Sequence, residues 1–115
     1  MQPRDIAKTA YNAADDKKAA RIDILHVGEQ TTLADYFVIC TGTSTTHIRT
    51  LADAVETAVI AAGGTLHHRE GVSAATWTLL DFGSVVVHIF QSEARDFYAL
   101  ERLWADAKRV DVGEL

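Results

Sequence analysis

Residues 77–104, WTLLDFGSVVVHIFQSEARDFYALERLW, decide the fold of this chain. Two runs rich in β-branched and aromatic residues, 76–80 and 85–90, flank a tight Asp81-Phe82-Gly83-Ser84 turn and predict a hairpin. The second run feeds directly into a helix. Ser92 supplies an N-cap, Glu93 suits the first turn, and Phe97, Leu100, Leu103, Trp104 and Ala107 recur on one face. The hairpin register stays open. A two-residue loop at Phe82-Gly83 pairs Trp77 with His88, whereas a three-residue loop ending on a left-handed Gly83 pairs Trp77 with Val87. The three-residue loop is favoured, because Phe82 tolerates the positive φ of a type I′ turn poorly. A slip of one residue exchanges the two faces of a strand. In either register Trp77, Leu79 and Asp81 share one face of their own strand.

The preceding segments fill in the rest of an α/β unit. Pro3 suits the first turn of a helix whose thin apolar stripe is Ile6, Ala10 and Ala13 or Ala14. Residues 22–27 are a short β-branched run and predict a strand, followed by a loop at 28–32. Residues 36–41, YFVICT, are apolar on both alternating faces, as expected of a central strand covered on both sides. Gly42-Thr43-Ser44 then turns into a helix with Ile48, Leu51, Ala52, Val55 and Val59 on one face, and Gly63-Gly64 stops it. Residues 65–68 read as a short strand and 69–75 as a loop pivoting on Gly71. The resulting order is α-β-β-α-β-β-β-α, an α/β sandwich with one mixed sheet flanked by helices. One domain is expected over residues 1–108, with a frayed tail at 109–115.

The 115 residues suit one hydrophobic core. Cys40 is the only cysteine, so no internal disulfide is possible, and its apolar strand predicts a buried thiol. No apolar run approaches the roughly 20 residues of a membrane span, and no signal-peptide pattern opens the chain; a cytoplasmic protein is expected. The net charge is −5, with the eleven basic residues scattered. Free nucleic acid is therefore an unsuitable ligand, and a basic partner a better one.

Candidate chemistry is sparse. The five histidines fall on different elements or point to opposite faces, so they offer no convergent zinc ligands. His88, inside a strand, reads as a hydrogen-bonded core residue. Gly42-Thr43-Ser44 at a helix start could cradle an anion, but it lacks the lysine and the spacing of a phosphate loop. Nucleotidyl transfer needs paired carboxylates on a strand after such a turn, and Asp23 and Asp81 each stand alone. No catalytic, metal or cofactor residues are assigned. Trp104 completes a helix stripe and reads as core. Trp77 is equally compatible with core and with an exposed docking residue.

The blocks DYFVICTGTSTTHIRTLADAV (35–55), Glu70-Gly71 and 77–104 resemble the ribosomal silencing factor family, also called Iojap-like, across nearly the whole chain. The resemblance implies a non-enzymatic regulator. Such a protein binds the large ribosomal subunit through its fourteenth protein and blocks joining of the small subunit, lowering translation when nutrients are short. It also implies a nucleotidyltransferase-like fold without the catalytic carboxylates, and a homodimer when free. The family's docking surface maps onto Trp77 and Leu79 as apolar anchors and Asp81 as the contact for a basic side chain. His88 would hydrogen-bond or stiffen the hairpin, and Leu80, Arg95 and Tyr98 complete the set. The alternatives from other classes are a nucleotide-binding or nucleotidyl-transferring enzyme and a structural homodimer.

Overall fold

The computed structural model describes residues 1–28, 32, 34–72, 76–92 and 107–115. Helix α1 spans Pro3–Asp16. Proline opens it, and the Asp5 carboxylate accepts the Gln2 backbone N–H at 3.3 Å. Its buried face is Ile6, Ala7, Ala10 and Ala14, a stripe small enough to let the helix lie close to its neighbours. Helix α2 spans Thr45–Ala61. Ser44 caps it through Oγ, which accepts the His47 backbone N–H at 3.0 Å. The expected stripe, Ile48, Leu51, Ala52, Val55 and Val59, is buried throughout, and Gly63 at φ +101° terminates the helix.

Among the described residues six strands form one mixed sheet: β1 (Arg21–His26), β2 (Tyr36–Gly42), β3 (His68–Val72), β4 (Trp77–Asp81), β5 (Val85–Gln91) and β6 (Lys108–Val110). Their spatial order is β3-β4-β5-β2-β1-β6. Every neighbouring pair is antiparallel except β2 and β5, which run parallel with Tyr36 opposite Val85 and Gln91 opposite Gly42. A parallel pair needs a crossover, and α2 lies within it. As its composition predicts, β2 is covered on both faces. Val38 and Cys40 pack with α1 and α2, while Phe37 and Ile39 pack with Leu25, Val27, Ala34 and Phe90 on the other side.

Three expectations are corrected by the structure. The hairpin takes neither of the two registers read from the sequence. Trp77 pairs with Phe90, Leu79 with His88 and Asp81 with Val86. The ends close with the Phe82 N–H donating to the Val85 carbonyl at 2.9 Å, so the loop is Gly83-Ser84. Phe82 escapes the turn because it is buried among the helix-side core residues. The positive φ falls on Gly83 (+86°), the first loop position, as in a type II′ turn.

The third strand also lies later than expected. Residues 65–67 precede it, and the supposed loop at Gly71 is part of β3. Residues 68–71 are all exposed at the sheet edge, so no burial pattern marks them in the sequence. Arg69 fastens this edge to α2, reaching Asp53 at 2.9 Å and Glu56 at 3.0 Å.

The tail carries regular structure where an irregular end was expected. β6 pairs with β1, Arg109 approaches Asp23 at 3.8 Å, and a 3-10 turn at Val112–Glu114 follows. The Arg4 guanidinium then donates to the Leu115 carbonyl, tying α1 to this end of the chain. The helix expected after Ser92, with Trp104 on its stripe, lies outside the described residues.

The turn yields a test. A Cβ at Gly83 would lie 3.2 Å from His67 Nε2, the far end of an exposed side chain that can move aside. Backbone conformation therefore dominates. Gly83→Ala should lower unfolding free energy by about 1–3 kcal/mol in urea titrations, the cost of holding an L-residue in a sparsely populated positive-φ region.

Candidate functional site

Alternation along β4 and β5 sorts the side chains cleanly. Thr78 and Leu80 point toward the helices, and Leu80 is fully buried there. Leu80 is thus a core residue whose side chain cannot reach a partner, a correction that follows directly from strand period. Trp77, Leu79 and Asp81 point to the opposite face and are half-buried. The register brings Val86, His88 and Phe90 onto that same face, with Phe37 of β2 beside them. Arg95 and Tyr98 lie outside the described residues.

The rings of this face interlock. Trp77 stacks on Phe90 with centroids 5.0 Å apart and planes 22° apart. Phe37 meets His88 edge-on at 4.9 Å. The Trp77 indole Nε1–H donates to His88 Nδ1 at 3.3 Å. An indole nitrogen can only donate, so Nδ1 must be the acceptor and the neutral imidazole carries its proton on Nε2. That Nε2–H is buried and has no hydrogen-bond partner among the described residues. Asp81 serves the same hairpin differently: its Oδ1 accepts the Gly83 N–H at 2.7 Å and so holds the turn.

His88 is 5% exposed, and burial pulls its pKa down from 6.5 to about 4. Sequence inspection finds both residues but leaves their contact open, since only one of the two registers it offers sets Trp77 against His88, and the observed pairing is a third that brings them together diagonally. Phe90 was visible only as a strand residue; its place under Trp77 follows from the same pairing.

The strand-to-helix turn considered as an anion cradle is occupied from within. The Thr43 backbone N–H donates to His47 Nδ1 at 3.0 Å, while the His47 and Ile48 N–H groups go to Ser44 Oγ and the Ser44 carbonyl. His47 Nε2 reaches back to the Lys17 carbonyl at 2.8 Å and fixes the end of α1. A Cβ on Gly42 would sit 3.0 Å from Ile48, so the glycine here lets strand and helix approach closely. The Thr43 and His47 N–H groups are thus bonded within the protein, and the turn works as a structural joint. Elsewhere His26 packs on Tyr36 and His68 pairs with Glu70 at 3.3 Å. No three His, Cys, Asp or Glu side chains converge among the described residues.

The site's pH behaviour follows from burial. The unfolded chain protonates His88 below pH 6.5 and the folded chain only near 4. Between these values unfolding takes up a proton, so stability is full above pH 6.5 and declines as pH falls toward 4. At 1.36 kcal/mol per pKa unit the loss approaches ~3 kcal/mol. Urea unfolding across this range should show it, and His88→Leu should flatten the slope relative to the parent while carboxylate contributions stay common to both.

Comparison with known proteins places this architecture. The family model described as "Ribosomal silencing factor during starvation" matches residues 1–115. The "Ribosomal silencing factor RsfS" of Bacillus subtilis is 38% identical over 112 residues, covering 97% of this chain and 95% of that protein. A crystal structure from Chromobacterium violaceum superposes with a TM-score of 0.88 at 33% identity, covering 91% of this chain and 88% of that one. The mouse protein named "Mitochondrial assembly of ribosomal large subunit protein 1" is 33% identical over 91 residues, 76% of this chain and 40% of that longer protein.

Proposed function

Because the chain belongs to the ribosomal silencing factor family, we propose that it binds the large ribosomal subunit through that subunit's fourteenth protein. Seated there, it sterically blocks joining of the small subunit and represses translation under nutrient limitation. The full-length family match carries this reading. It is supported by the name of the mouse relative, which refers to the large subunit, and by a net charge of −5 suited to a basic partner. Exclusion by bulk needs no catalysis. The protein acts in the cytoplasm and pairs as a homodimer when free.

On this reading the docking surface is the Trp77, Leu79 and Asp81 face of the hairpin. Trp77 presents a half-buried aromatic ring braced from beneath by Phe90, the kind of rigid anchor that dominates interface energetics. Leu79 adds apolar area beside it. A carboxylate can accept several hydrogen bonds, so Asp81 can hold the Gly83 turn and still meet a basic side chain. Arg95 and Tyr98 extend the surface by family resemblance.

The test combines function and fold. Added to separated subunits without nucleotide, the protein should co-sediment with the large subunit and reduce the joined fraction in a sucrose gradient; migration with the small subunit alone would overturn the proposal. Trp77→Ala should weaken large-subunit binding at least thirtyfold, about 2 kcal/mol, the scale of an aromatic hot spot. Its stability loss in urea should stay below the ~3–5 kcal/mol of a fully buried aromatic, since the ring is only half-buried.

A further inference from the structure

Stacking on Phe90 holds the plane of the Trp77 ring. The tryptophan χ2 torsion is broad and roughly two-fold, so turning the ring over redirects the indole N–H. The two arrangements differ in where the N–H points. Only one directs it at His88 Nδ1, where it lies 3.3 Å away. His88 is itself held in place: Phe37 abuts it edge-on at 4.9 Å and Phe90 lies parallel at 6.2 Å and 9°. It is too deeply buried, at 5% exposure, to serve as a contact of its own.

We propose that His88 is a positioning residue for docking: as an immobile acceptor it selects one of the two indole orientations and so presents Trp77 in a single geometry. This rests on the reading of Trp77 as the docking anchor. It also defines the chemistry that the partner meets. The indole N–H is committed inside the protein, so recognition at Trp77 runs through the apolar ring. A matching partner group is an aliphatic chain, another ring or the flat face of a guanidinium rather than a hydrogen-bond acceptor. The geometry also requires one imidazole tautomer, with the proton on Nε2. Leaving that buried donor unbonded is unfavourable, and the hairpin tolerates it because a neutral ring with the opposite tautomer would set two N–H donors against each other.

Nitrogen NMR on the intact protein reads the tautomer directly, with Trp77→Phe assigning the indole resonance. The expected result is protonated Nε2, bare Nδ1 and a slowly exchanging Trp77 N–H. His88→Leu should speed that exchange at least tenfold and weaken binding to purified large subunits about tenfold. His88→Asn, whose Oδ1 can accept from nearly the same place, should recover most of both. A wild-type Nδ1–H tautomer would overturn the proposal without any variant. So would a folded His88→Leu with unchanged exchange and affinity, or a His88→Asn that restores exchange but not affinity. Wild-type affinity in Trp77→Ala would instead remove the anchor reading itself, and the docking role of His88 with it. A failure confined to the His88 variants leaves that anchor standing.

Discussion

The parallel pairing of β2 with β5 joins two antiparallel halves, β6-β1-β2 on one side and β5-β4-β3 on the other. Both central strands are hemmed in above and below, by the helices against Val38, Cys40, Val87 and Ile89 and by the second cluster at Phe37, Ile39 and Phe90. Fully burying an aliphatic or aromatic side chain contributes roughly 1.5–3 kcal/mol, so this seam holds a large share of the stabilisation. It also explains the chain order. Parallel neighbours cannot be joined by a tight turn, so the strand must leave at Gly42, cross over through α2 and return as the β3-β4-β5 meander. Everything at the candidate site hangs from this seam, because β5 supplies both the floor under Trp77 and the acceptor for its N–H.

How much of this was legible in the sequence varies with burial. Tyr36–Gly42 announced itself through apolar residues on both faces, and the stripe from Ile48 to Val59 named its helix and its inner surface. Segments that bury few side chains carried no such mark. His68–Val72 has only exposed side chains where these are described, and Lys108–Val110 is three residues long. Both are placed by the strands they pair with rather than by their own pattern. The hairpin shows a subtler failure. Asp81-Phe82-Gly83-Ser84 offers several phases for a turn, and the burial of Phe82 that selects among them depends on helices elsewhere in the chain.

The same distinction governs the candidate site. Period-two alternation sets Trp77, Leu79 and Asp81 on one face and by the same count sends Leu80 to the core. The coupling of Trp77 to His88 required the pairing, since a slip of one residue would have put the imidazole under the helices. Family resemblance named the surface; the register explains why a histidine belongs inside it.

The two ends of the sheet have a consequence for how the molecule keeps company. One edge is β3, bearing His68, Arg69 and Glu70, with Arg69 fastened to the α2 carboxylates; the other is the short β6, bearing Lys108 and Arg109. Charged, brief edge strands are poor templates for adding another strand. The fold thereby resists runaway sheet extension and fibre growth. Its associations are steered toward contacts made by side chains on its faces, where geometry can discriminate between partners and where contact can end without unzipping a backbone ladder.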